Sequence, residues 1–303
     1  NGVLEFDIHA TENLDIRLRD ESNNVITPVS VTDSGNHATI VISTGAVIDP
    51  DAQAFLNAAS ITDSTITYAI DFLVKNTKNK GIWNKVVGMY PIVGGSSNEH
   101  KFNLKNPLNT DAAFRIEFFG GLTHSSNGIQ GNGINGYLDF KIIPNTHLTL
   151  NNTHIGYYCT TNVYGAFFDM GSQQSADFGV YNYLGAYYTD QYNQTSGAGR
   201  SSSILSDTRG FALGSRIASN DLRLFRNGYQ IGTTSTGSGG NISGMNQSLL
   251  GIAGRSGANP FPAFLFSSRT YAFFSIGSGL TASESLEYNN IIQAFQTILS
   301  RNV

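Results

Sequence analysis

Along most of the chain, short runs of aromatic and β-branched residues recur at intervals of about ten residues, separated by Gly, Asn and Ser. From residue 82 to residue 276 no helical periodicity falls between them, so a parallel α/β fold, which needs a crossover helix between strands, is excluded. What remains is a set of strands joined by turns, an antiparallel sandwich. Runs at 86–93, 113–119, 136–143, 147–150, 155–160, 177–183 and 186–192 read as strands, and 209–214, 222–226, 248–253 and 270–276 continue the series. Asn-Gly pairs at Asn127-Gly128, Asn132-Gly133, Asn135-Gly136 and Asn227-Gly228 supply turns with positive φ. Residues 233–240 (TTSTGSGG) read as a flexible loop inside the same domain, because strand patterns resume on both sides.

Two segments lie ahead of the sandwich. Within 1–48, Leu14, Ile16 and Leu18 alternate with charged residues, Val29 and Val31 mark another strand, and residues 38–43 a third. That is a small β unit with a thin core, expected to serve attachment or oligomerisation. Residues 49–80 read as a helical connector. Asp49-Pro50-Asp51 opens a first helix carrying Ala52, Phe55, Leu56 and Ala59. Asp63 can cap a second, where Ile66, Ala69, Ile70, Leu73 and Val74 share one face. The sandwich is expected over 81–303, closed by a helix whose Thr281 and Glu284 form a capping box ahead of Leu286, Ile291, Ile292, Phe295, Ile298 and Leu299.

Composition narrows the partners. Charged residues are only 13% of the chain, yet Phe (19) and Tyr (14) are too plentiful for a disordered chain. A net charge of −4 argues against nucleic acid, and Lys75, Lys78, Lys80 and Lys85 read as a solvated helix end. No apolar stretch has the length of a membrane span. Cys159 is the one cysteine, which precludes an intrachain disulfide and reads as a small buried hydrophobe. The chain begins at Asn1, without Met or a signal peptide, as a processed product or a piece of a longer polypeptide would.

Several segments carry a resemblance. Residues 222–231 (LRLFRNGYQI), 248–255 (SLLGIAGR) and 271–284 (YAFFSIGSGLTASE) resemble the hairpin, the following strand, and the last strand with its helix in laminin-G and concanavalin A-like jelly rolls. The blocks 51–63 (DAQAFLNAASITD), 81–85 (GIWNK), 90–95 (YPIVGG), 100–107 (HKFNLKNP), 111–115 (DAAFR), 123–128 (THSSNG) and 292–303 (IQAFQTILSRNV) resemble a module recurring in virion proteins of tailed bacteriophages. This likeness covers about residues 50–303. It implies a mainly β, concanavalin A-like jelly-roll sandwich in a tail-fibre, head-fibre or other surface appendage at the virion surface, outside the host cell. It further implies other virion proteins as partners, a homo-oligomer with a trimer as first guess, and lectin-like adhesion to a host-surface glycan as an option. It carries over no catalytic residue. A jelly-roll glycan hydrolase and a bacterial surface lectin stay open as alternatives.

Catalytic patterns are sparse. Glu5-Phe-Asp7-Ile-His9 resembles the paired-carboxylate signature of jelly-roll glucanases, but Ala10 stands where the second Glu belongs. No paired-His metal spacing, nucleophile elbow or phosphate loop is present. His147 and His154 read as polar turn residues, and Asp111 as a hairpin residue. Related sandwiches carry Ca²⁺, but no dense Asp/Asn loop specifies it here, so no cofactor or metal is assigned. The expectation is therefore a non-enzymatic module. Trp83 is expected to anchor the helix–sandwich junction. The run Ala186–Asn193 offers the glycan candidates: Tyr187, Tyr188, Asp190, Tyr192 and Asn193 mix ring faces with groups that bond hydroxyls. Simple alternation places Tyr188 and Tyr192 on one face and Tyr187 on the other.

Overall fold

A computed structural model describes residues 2–7, 30–33, 37–42, 47–193, 199–237, 240, 242–256 and 263–303, with backbone alone for the first three stretches and for Asn193. The chain divides into two compact units, Asn1–Ile48 and Asp49–Val303.

In the first unit, β1 (Gly2–Asp7), β2 (Ser30–Asp33) and β3 (His37–Ile42) form an antiparallel sheet in the order β1-β3-β2. Glu5 and Asp7 sit opposite Thr39 and His37 on β3. His9, Ala10, the alternating Leu14–Arg19 run and Val29 lie outside the described residues.

The second unit opens with α1 (Pro50–Ala59), capped by Asp49, which accepts from the Asp51 amide at 2.9 Å. Its chain reverses at Ser60, and α2 (Ser64–Asn79) starts on the Asp63 carboxylate, which accepts from the Ile66 amide. Both helices bury the apolar faces anticipated from their spacing, with Ile66 left half-buried. The lysines near the end of α2 are not simply solvated. Lys75 pairs with Asp71, Lys78 with Asp49 and Asp51, Lys80 with Glu287 and Lys85 with Glu284, so the positive end of the connector is pinned by carboxylates. Trp83 is buried in the turn after α2, with the Lys105 ammonium 3.7 Å from its ring centre.

Then come β4 (Val86–Tyr90), α3 (Ser97–His100), β5 (Glu117–Phe119), β6 (Leu122–Ser125), β7 (Gly128–Gly131), β8 (Tyr137–Asp139) and α4 (Pro144–His147). They are followed by β9 (Thr153–Cys159), β10 (Met170–Gln173), β11 (Asp177–Tyr183), β12 (Ala186–Asn193), β13 (Ser201–Ile204), β14 (Gly210–Ala218) and β15 (Asp221–Arg226). The chain ends with β16 (Tyr229–Ser235), β17 (Leu250–Gly251), β18 (Gly254–Ser256), β19 (Ala263–Phe264), β20 (Thr270–Gly277) and α5 (Ala282–Ile298).

Two sheets face each other. One runs β16-β15-β14-β9-β20-β7-β6, with β4 on the far half of β20. The other runs β13-β12-β11-β10-β17-β8-β5, with β18 parallel to β10. The other pairings within these sheets are antiparallel, and the fold is a β-sandwich. Tyr157, Tyr271, Phe274, Phe140, Phe178 and Val180 meet between the sheets as part of the common core. On the outside of the first sheet lies α5, opened by the Thr281–Glu284 capping box, its Tyr288 and Phe295 against Phe211 and Phe273. In turn α2 packs on α5. Among the described residues no helix is long and apolar enough to cross a membrane.

Several local expectations are corrected. Residues 147–150 are not a strand: Pro144 starts a helical turn, and His147 Nδ1 accepts from the Ile143 amide at 2.9 Å, as a turn residue would. Only Glu117–Phe119 of the 113–119 run is extended, because Asp111–Ala113 is a 3₁₀ turn that ends on Phe114 with φ +59°. Strand β16 continues to Ser235, through the start of the expected 233–240 loop. The Asn227-Gly228 turn has positive φ at both residues and joins β15 to β16.

Candidate functional site

Strand β12 alternates as predicted up to Gln191 and then breaks. Tyr187, Thr189 and Gln191 point inward: Tyr187 Oη donates to the Asp207 carbonyl, and Gln191 accepts from Thr153. The register with β11 then shifts at Asp177/Phe178. This bulge gives Tyr192 a φ of +61° and turns its ring into the core, 4.9 Å from Phe178. Tyr192 therefore does not share a face with Tyr188. Tyr187 and Tyr192 have no accessible surface and cannot stack on a ligand. Asn193 pairs with Asp177 along the backbone.

Tyr188 and Asp190 take the outer face, and the structure joins to them residues that sequence reading missed. Phe168 stacks on Tyr181 at 4.3 Å, and Tyr181 on Tyr188 at 5.4 Å. Gly171, Gly179 and Gly254 make room for this ladder, since a Cβ at Gly179 would lie 2.7 Å from the Phe168 ring. The Arg200 guanidinium covers the far end, 5.1 Å from the centre of the half-buried Tyr188 ring. Its Nε lies 2.9 Å from both Asp190 oxygens, its Nη2 2.9 Å from Asp190 and 3.6 Å from Asp177. Tyr181 Oη donates to Asp190 at 3.1 Å.

Electrostatically the cluster is unfinished. Asp177 is 2% exposed, and its Oδ2 has no hydrogen-bond partner among the described residues. Burial, followed by the neighbouring Asp190, pushes its carboxyl up to about 6 against the opposing pull of Arg200. The Arg200 side chain remains 25% exposed. The arrangement offers a half-buried aromatic face and a guanidinium edge on one surface, above two carboxylates that are themselves buried. Arg200 follows a Gly/Ser-rich stretch without periodicity, and Asp177 is one acidic residue at a strand start, so neither stands out in the sequence.

Elsewhere the chemistry is closed. Asp169 and Arg269 are fully buried and paired at 2.8 Å. Tyr157 and Tyr271 donate to the same carboxylate, as does the Asn182 amide at 2.6 Å. Such a network leaves nothing for a substrate. His154 is not a turn residue; it is buried on β9, bonded to the Ser278 carbonyl and Ser275 Oγ, and burial holds it down at about 4. Cys159 is buried, and burial drives its thiol up to about 12, which leaves it inert. Asp111 accepts from Arg115 one turn on. Among the described residues no three His, Cys, Asp or Glu side chains converge on a metal position. A cleft of about 680 Å³ lies apart from the ladder, lined among others by Ser60, Asn98, Glu99, Lys101 and Leu108.

No protein-family model matches the sequence, and no curated protein matches it. Solved structures do. A structure of botulinum neurotoxin type C, a toxin whose cell entry depends on interaction with two ganglioside molecules, is 10% identical over 70% of this chain and 52% of its own, with a TM-score of 0.45. The binding domain of botulinum neurotoxin DC in complex with SialylT is 9% identical over 70% and 52%, with a TM-score of 0.46. A Trypanosoma rangeli sialidase is 10% identical over 75% and 39%, with a TM-score of 0.46. The chain thus spans about half the length of the toxin chains and 39% of the sialidase. Scores at this level assign no function to it. They do correct one expectation: with sialidases among the similar structures, the exclusion of enzymatic chemistry does not stand.

Proposed function

We propose that the second unit is a carbohydrate-binding β-sandwich whose ligand surface is the outer face of the β11–β12 sheet. One observation carries this reading: the half-buried Tyr188 ring and the partly exposed Arg200 guanidinium stand side by side on a face that the long helices do not cover. Sugar rings lie on aromatic faces while their hydroxyls meet charged and amide groups. Tyr181 and Asp190 position the pair, and Tyr187 and Tyr192 serve the core beneath it. The test is a glycan array with the full chain and its Tyr188→Ala and Arg200→Gln variants. Glycan signals that fall at least about tenfold in both variants support the assignment. Signals unchanged in both, or no signal from the full chain, remove it.

The same cluster favours a second reading, glycoside hydrolysis. Two carboxylates share one arginine, and Asp177, raised to about 6 but only 2% exposed, could donate a proton to a substrate once the cluster above it moves aside. A screen against sialylated and neutral oligosaccharides decides it: turnover that disappears in Asp177→Asn supports the reading, and no turnover by the full chain excludes it.

The finer biological setting, an oligomeric surface appendage of a tailed bacteriophage attached through residues 1–48, rests on the sequence resemblance alone. Light scattering of the full chain and of residues 49–303, with binding of each to purified virions, tests it. Equal assembly and attachment by both would end the role assigned to residues 1–48.

A further inference from the structure

Two imidazoles oppose each other at the edge of the sandwich. His100 ends α3 and His124 lies on β6, with their Nδ1 atoms 3.0 Å apart. Two ring nitrogens approach that closely only as N–H···N, one donating and the other accepting with its lone pair. The contact therefore holds one proton. With a second, two N–H bonds would point at each other and the contact could not exist.

The surroundings sharpen this. His100 is 2% exposed, and its Nε2 has no partner among the described residues. Phe118 of β5 meets the His124 ring edge-on at 4.7 Å. Of the charged groups facing the pair, Glu99 on the same turn favours a proton on His100, and Arg301 on the C-terminal segment opposes it. Burial outweighs both and, with His124, holds His100 down at about 3, while burial also lowers His124.

The contact restrains a small but well-placed element. Being only four residues long, α3 cannot persist on helical hydrogen bonds alone. Its N-terminus is held by Glu99, whose carboxylate accepts from the Gly95 and Ser96 amides at 2.8 Å. Its C-terminus is tied to β6 through His124. On one side Ser96, Asn98 and Glu99 line the 680 Å³ cleft. On the other, Gly94 lines a second cleft of about 210 Å³ together with Ser126 and Arg301. The turn thus contributes lining to both clefts.

We propose that the His100–His124 contact is an acid-released latch: one added proton still leaves an imidazolium–imidazole N–H···N bond, but when both rings are cationic each Nδ1 carries a proton, the bond is lost, the 94–101 turn is freed from β6 and the clefts it lines are joined. No part of this depends on carbohydrate binding. Acidification thereby reshapes the surface at this corner while the sheets remain folded.

Hydrogen exchange of the full chain between about pH 7.5 and about pH 2.5, corrected for intrinsic rates, tests it. The expected result is protection of residues 94–101 that falls on acidification at least about tenfold more than that of β9 and β20. In His124→Phe, where the ring cannot take a proton and the contact is absent, that additional fall should disappear. Unchanged protection of 94–101 in the wild type, or the same pH profile in wild type and variant, overturns the latch. Nitrogen-15 spectra of the wild-type imidazoles serve if the variant does not fold. One protonated and one bare Nδ1 at neutral pH, both protonated as the turn opens, is the expected pattern. Double protonation without opening contradicts it.

Discussion

The two outer faces of the sandwich are made by the same kind of strand and have opposite fates. On the first sheet, Phe211 and Phe273 disappear under α5, and the polar groups there close on one another: His154 and Tyr288 both bond Ser275 Oγ. The Arg301 guanidinium is spent on the carbonyls of Ile92 and Ser126 and the Gln296 side chain. On the second sheet no long helix arrives among the described residues. Tyr188 and Arg200 form a charged aromatic surface over the buried Tyr181, Asp190 and Asp177, and one Asp177 oxygen has no hydrogen bond among the described residues. Amphipathic sequence beside a sheet turns an outer face into stability, and the second sheet has no such cover among the described residues.

The largest test of this contrast is a truncation on each face. Phe295→Ala should cost about 3–5 kcal/mol in urea unfolding, as for other buried Phe, whereas Tyr188→Ala should cost less than about 1 kcal/mol. Equal costs would erase the distinction.

Acid should act next, and with a definite sign. His154 lies under α5 without accessible surface, and burial depresses it from 6.5 to about 4, so the folded state keeps it neutral. Its contribution is present above pH 6.5 and is lost as pH falls toward 4, by an amount on the order of 3 kcal/mol. Replacing His154 with Gln should flatten the fall of stability through that window. A slope as steep as that of the wild type would show the titration belongs elsewhere.

The open face should respond in the opposite direction and more weakly. Asp177 is raised to about 6, so its stabilising form is the protonated one, fully present below 3.8 and lost as pH rises through 6. Asp177→Asn should therefore stabilise the chain at neutral pH by about 1–2 kcal/mol and make no difference near pH 4. Destabilisation at neutral pH would mean that the charge is needed for the Arg200 pairing.

The covered face was the legible one. Helix caps at Asp49, Asp63 and Thr281 and the faces of α1, α2 and α5 follow from residue spacing, because helical period and capping are local. Strands 177–183 and 270–276 were readable for the same reason, being long and apolar or aromatic. The site was not. The bulge that carries Tyr192 into the core depends on how β12 pairs with β11, and no local pattern marks it. Alternation separates Tyr188 from Tyr187 but does not say which of them faces outward, its partner Arg200 comes from an irregular stretch, and short strands such as β18 and β19 exist only through their neighbours.

The central claim is that the uncovered face is where carbohydrate binds. The most direct measurement is an NMR titration of the isotope-labelled chain with the best glycan from the array, followed residue by residue. The account predicts shifts concentrated on Tyr181, Tyr188, Asp190 and Arg200, with Phe211, Phe273 and α5 unmoved. Shifts centred instead on Ser60, Asn98 and Leu108 in the separate cleft would contradict it.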